Sequence, residues 1–189
     1  MKFGFSRTRH DPESTLQELQ NALTTTLGED IQAMLVYGDY VKPGRFDPQH
    51  SKLNLMLVLR RIDSELLDRI VAPITAAEQK TPMSTMTLTL HDLQTSCDVF
   101  PVKFRDIQFH HRLLCGNDVM AGLEFTDDHI RLRCEQEARN LMIRLRWAYL
   151  HHSQSAEELR NALLDAASQI LPVLEASLSI RTGLIPELD

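Results

Sequence analysis

The chain has 189 residues, 43% of them hydrophobic, and a formal net charge of −6 at neutral pH. That length suits one domain with a helical appendage or two small domains, and that apolar content is enough for a core. The acidic balance argues against a general nucleic-acid binder, no run of 18 apolar residues signals a membrane span, and residues 1–14 lack the apolar centre of a signal peptide. Cys97, Cys115 and Cys134 are an odd number without CxxC spacing, which fits a reducing cytoplasm better than a disulfide scaffold or zinc knuckle. The pairs His110-His111 and His151-His152 have no matching acid or cysteine pattern, so no metal site is expected there.

Asp11-Pro12-Glu13 reads as a helix start: a capping oxygen, a proline whose missing N–H does no harm, and an acid near the positive end of the dipole. Leu16, Leu19, Leu23 and Leu27 follow at helical spacing, and Gly28 closes the helix. Residues 31–37 form a short apolar strand that ends at the tight turn Gly38-Asp39. After a polar loop, Leu53, Leu55, Leu57 and Leu59 alternate with Lys52, Asn54, Met56 and Val58. This second strand is therefore buried along most of its length and presents Lys52 and Asn54 together at its start. A helix opens at Asp63-Ser64-Glu65, with Pro73 expected to bend or divide it. Residues 83–90, MSTMTLTL, read as a third strand, 91–97 as a turn or short helix, and 98–107 as a further extended segment with an edge or bulge at Pro101.

From Thr126 the pattern becomes helical. Ile130, Cys134, Ala138, Leu141, Leu145 and Ala148 keep spacings of three and four, and Ser155 with Glu158 forms a capping box for another helix. The stripe expected on that helix is Leu159, Ala162, Leu163, Ala166, Ile170 and Leu174, with Pro172 kinking it or starting a separate final segment. Trp147 and Tyr149 read as helix packing. Glu135, four residues from Arg131 and Arg139, makes that arginine-rich surface a solvated face. The expected architecture is an α/β (α+β) sheet domain over 1–112 and a C-terminal helical hairpin over 113–189, assembled as a homodimer.

The strand ending at Gly38-Asp39, twelve residues, and then Lys52-Leu53-Asn54-Leu55 opening a strand resembles the motif of the nucleotidyltransferase superfamily. In that family the positions of Lys52 and Asn54 hold two carboxylates that jointly bind Mg2+. A third carboxylate lies on a later strand, on the same face. The segment 98–107, DVFPVKFRDI, resembles a strand of small bacterial members in which an acid follows Phe-Pro-apolar, and here that position is Lys103. The likeness extends through HRLLCGND and the arginine- and glutamate-rich helix to about residue 150. It implies a nucleotidyltransferase-like mixed sheet whose site residues are Gly38, Asp39, Lys52, Asn54 and Lys103.

The chemistry at those positions differs from the family pattern. Two carboxylates at i and i+2 of a strand point the same way and suit a hard cation that prefers oxygen ligands. A protonated lysine ligates no metal, and an asparagine oxygen is a neutral, weaker donor. Lys52 and Lys103 are expected to meet near Asp39 as a salt-bridged plug, with direct, metal-free contact to phosphate as the alternative. Asp39, Asp47, Asp98 and Asp106 are the acids through which metal binding would be restored, and each also reads as a turn or cap residue.

The function expected is thus a nucleotidyltransferase-like binding or regulatory scaffold without catalysis and without cofactor, having a weak nucleotide ligand or a protein partner. Its alternative is a Mg2+-dependent transfer of a nucleotidyl group from ATP to a hydroxyl. A further alternative is a helix-mediated partner module of a toxin–antitoxin type pair, which an apolar helix face left exposed would favour.

Overall fold

The computed structural model describes residues 11–47 and 51–183. Residues 1–10, part of the segment read above as lacking a signal core, and 48–50 of the polar loop lie outside the described residues, as do 184–189. The chain forms two compact units: one runs to Gln94 and takes in His110–Gly122, the other comprises Thr95–Phe109 and the residues from Leu123 on.

In the first unit, α1 (Pro12–Leu27) starts where Asp11 accepts a hydrogen bond from the Ser14 N–H at 3.2 Å, with Pro12 in its first turn. Strands β1 (Ile31–Tyr37), β2 (Leu53–Leu59), β3 (Met83–Thr89) and β4 (His111–Gly116) form one mixed sheet in the order β3-β2-β1-β4. β1 is antiparallel to both β2 and β4, whereas β2 and β3 run parallel. The connection between the parallel strands is α2 (Ser64–Lys80), capped by Asp63 through the Leu66 N–H at 2.9 Å. It runs through Pro73 without dividing.

Alternation along β2 sends Leu53, Leu55, Leu57 and Leu59 to one face, where they are fully buried with Met34 and Val36 against the leucine stripe of α1 and with Leu66 and Ile70 of α2. Each such leucine contributes about 2 kcal/mol by leaving water. Thr15 and Thr81 share a buried hydrogen bond of 3.0 Å between the two helices' ends. Ala33, Leu35, Met56 and Val58, on the opposite face, are buried as well.

Two segments differ from the sequence reading. β4 forms in HRLLCG, where no strand was expected, and adds an edge next to β1. The 98–107 segment is not extended: after α3 (Leu90–Ser96), α4 (Pro101–Phe109) is a helix with Pro101 at its first position. Proline there fixes a helical φ and loses no hydrogen bond, so it starts an element rather than marking a sheet edge.

In the second unit α4 packs on the long helices α5 (Asp127–His152) and α6 (Ala156–Thr182), which also pack on each other. The capping box at Ser155 is present, with the Glu158 N–H donating to its hydroxyl at 3.3 Å. The core joins Val102, Ile130, Cys134, Val173 and Ala176. α6 continues through Pro172, and two members of its expected stripe, Leu163 and Leu174, are instead 55% and 45% exposed. Trp147 and Tyr149 are also on the surface, Trp147 stacked on His151 at 4.2 Å between ring centres, so the packing role expected of them is corrected.

Candidate functional site

The Gly38 turn and the start of β2 meet as the motif requires. Tyr37 pairs with Asn54 across the sheet, and Gly38 follows at φ +79°. A Cβ built on Gly38 would stand 2.9 Å from Asn54 Nδ2, so the absence of a side chain lets this backbone lie against the asparagine amide. Asp39 is exposed and opens a short 3-10 turn, Gly38–Val41, in which its carbonyl accepts from the Lys42 N–H at 3.3 Å. Lys52 is exposed one residue before β2, and strand alternation directs it to the side of Asn54.

The strand registers extend this into a row across one end of the sheet. Ser84 of β3 pairs with Asn54, Asn54 with Tyr37, and Tyr37 with His111 of β4. Side chains paired in register share a face, so Ser84, Asn54, Tyr37 and His111 lie on the face away from the α1 leucines. Ser84 is exposed, burial pushes the Tyr37 phenol up, and His111 is held by Asp118 at 3.2 Å. Ser84 is the residue that sequence reasoning missed. The strand carrying it was legible, but its parallel pairing beside Asn54 was not.

The turn after Gly38 is anchored from the other face. Tyr40 donates its hydroxyl to Glu13 Oε2 at 2.6 Å, and the Arg112 guanidinium reaches both Glu13 oxygens at 3.1 and 2.8 Å. Arg112 also lies 5.6 Å from the Tyr40 ring centre, and Phe46 meets that ring edge-on at 4.9 Å. Arg112, then Tyr40, hold the Glu13 carboxyl below its ordinary 4.5, while burial first and Glu13 second push Tyr40 up to about 12. A lowered folded pKa contributes stability above the unfolded value that is lost as pH falls through the folded one. Glu13→Gln should therefore cost up to about 1 kcal/mol at pH 7, the pair being solvent-exposed, and much less at pH 3. Urea melts at the two pH values check this, and an equal cost at both would exclude the ionic contribution.

Lys103 is not a residue of this unit. It is on α4 in the second unit, where it lines a cleft of about 310 Å³ with Asp106, Arg133, Glu137 and Gln169. Arg133 is already engaged there, paired with Glu137 and 5.8 Å from the Phe100 ring centre. The other acids are dispersed: Asp47 is in the exposed loop after Gly38 and Asp98 pairs with His129 at 3.1 Å. No ion pair joins Lys52 to Asp39 among the described residues, and among them no three His, Cys, Asp or Glu side chains gather as a metal site. Glu135 pairs with Arg139 at 3.1 Å on the solvated face of α5.

No family profile matches the sequence, and no curated protein does. Among solved structures, the spectinomycin adenyltransferase AAD(9) from Enterococcus faecialis, determined with ATP and spectinomycin, superposes over 94% of this chain and 79% of its own. The TM-score is 0.61 at 11% identity. Two toxin–antitoxin structures are more distant: a mutant of MntA-HpeT, at TM-score 0.39 and 12% identity over 68% of this chain and 93% of that one, and the tri-AMPylated Shewanella oneidensis HEPN toxin in complex with MNT antitoxin, at 0.38 and 11% over 70% and 95%. With a four-stranded mixed sheet flanked by helices, a glycine turn set against the start of β2 and a helical C-terminal part, the chain has the nucleotidyltransferase-like α+β fold.

Proposed function

We propose that this chain uses the nucleotidyltransferase fold as a binding scaffold and does not transfer nucleotidyl groups. The observation that carries this is the row beside Gly38, where Lys52, Asn54 and the neighbouring Ser84 occupy the face on which the resembling family holds its carboxylates. Lysine, asparagine and serine supply at most neutral oxygens to a divalent cation, and the lysine ammonium repels it. Nucleotidyl transfer needs that cation to neutralise charge at the reacting phosphate. The groups present at this end are donors: an ammonium, an amide, a hydroxyl and the Gly38 backbone. They suit weak, metal-independent contact with a nucleotide or another phosphate ester, with Gly38, Lys52 and Asn54 as the binding residues; Asp39, a carboxylate, would repel the phosphate, and Lys103 is outside the row.

Calorimetric titration of ATP, with and without Mg2+, tests this on the wild type and on Lys52→Asp/Asn54→Asp/Ser84→Glu. The wild type should show the same weak or absent binding in both conditions, and the triple variant should gain Mg2+-dependent binding of at least tenfold. Tight Mg2+-dependent binding by the wild type would overturn the reading in favour of an active transferase.

A further inference from the structure

The outer side of α6 carries a second apolar stripe that its own hairpin does not use. The inner side, with Ile170, Val173, Ala176 and Ile180, packs in the core of the second unit. Outside it, Leu164, Ala167, Leu171, Leu174 and Leu178 recur at intervals of three and four, the spacing of a helix–helix seam. Leu164 is 56% exposed, Leu171 36% and Leu174 45%, and Leu163 widens the strip at 55%. Only 28% of the most apolar 18-residue stretch of α6 is buried. A contiguous apolar strip left open to solvent marks a surface that another molecule covers.

The charges decide what covers it. Arg160 and Arg181 continue the same three-and-four spacing beyond each end of the seam, both are exposed, and neither makes an ion pair among the described residues. The acids of the helix lie off the seam or outside it. Asp165 lines a cleft with Arg144, Glu175 is buried, Glu158 is taken by His152 at 2.6 Å, and Glu157 is a turn beyond Arg160. A second copy fits poorly. Paired antiparallel about Leu171, the seam sets Arg160 against the partner's Arg181; paired parallel, it sets each arginine against its own copy. Like charges placed opposite one another disfavour both arrangements. The homodimer expected from the sequence is thus opposed at this surface.

We propose that the outer seam of α6 is a docking surface for an amphipathic helix of a different protein, apolar along one stripe and acidic at both ends. Arg181 follows Arg160 by twenty-one positions, so the matching helix spans about 30 Å at the rise of an α-helix. Leucines in the middle supply affinity, and the terminal acids supply register and orientation.

The probe is a synthetic helix of about 22 residues with leucine at each seam position and glutamate at both ends, compared with the same helix carrying lysine at its ends. Titrated by fluorescence anisotropy into the full chain, the glutamate-ended helix should bind at least tenfold tighter, with the difference shrinking as salt rises. Arg160→Glu/Arg181→Glu, exposed substitutions checked for folding by circular dichroism, should reverse the preference. Equal binding of both helices by wild type and variant, or no binding of either, would overturn the proposal. So would a chain that is dimeric in light scattering and made monomeric by Leu171→Glu, or one that co-sediments with phosphatidylserine vesicles through the same leucines.

Discussion

Gly116→Ala should destabilise the protein by about 3 kcal/mol or more. Gly116 ends β4 opposite Ala33 at φ +85°, a region that side chains with a Cβ rarely enter. Space compounds the strain. A Cβ there would stand 2.2 Å from the Gln32 carbonyl oxygen and 2.9 Å from the Ala33 Cα, both backbone atoms that no rotamer change can move. The same carbonyl accepts from the Asn117 N–H at 2.9 Å, so yielding would also break the last bond that joins β4 to β1. Gly122→Ala is the control, because nothing lies within 4 Å of its Cβ position, and it should stay within about 0.5 kcal/mol. Urea melts of the pair measure the difference, and similar midpoints would show that the close approach at Gly116 is not maintained in solution.

Leu57→Ala is the second large expected effect, at about 3–4 kcal/mol. Leu57 is fully buried in a central strand, pairs with Met34 and Thr87, and belongs to the core shared with α1 and α2. The helices on that face are held by several other full-length leucines and cannot collapse into the space left, so the cavity cost adds to the lost transfer energy. Leu150→Ala removes the same atoms from a side chain that is 76% exposed and should cost less than about 0.5 kcal/mol. Thermal melts should separate the two by roughly 6–14 °C for a chain of this size. A cost below about 1 kcal/mol at Leu57 would be incompatible with the packing described.

Much of the fold was legible because its signals were local. The Asp11 and Ser155 caps, the leucine stripe of α1 and the alternation of β2 each follow from spacing within one element. The segment 98–107 misled for a physical reason. Val102 and Phe104 flank Lys103 as in a strand, whereas the buried set Pro101, Phe104 and Ile107 has helical spacing. β4 was hidden by the register shift between Met34 and Leu35, which breaks strict alternation in HRLLCG. At the site, the approach of Gly38 to Asn54 could be read from the turn and strand. That Ser84 stands beside Asn54 could not, because pairing between distant strands leaves no trace in either one's periodicity. On α6 the sequence showed an apolar helix but not which leucines its neighbours would leave uncovered.

The interleaving of the two units bears on how a ribosome must deliver this protein. Residues 95–109 belong with the C-terminal helices, yet β4, which covers the open edge of β1, is made only after them. A nascent chain that has emerged only to residue 94 carries β1 with one row of backbone donors and acceptors unpaired, the kind of edge that recruits other chains. The first unit is therefore completed late, when part of the second is already out, and one cut in the polypeptide frees neither unit without a piece of the other: a break after Gly122 leaves residues 95–109 on the first, and a break after Gln94 leaves 110–122 on the second.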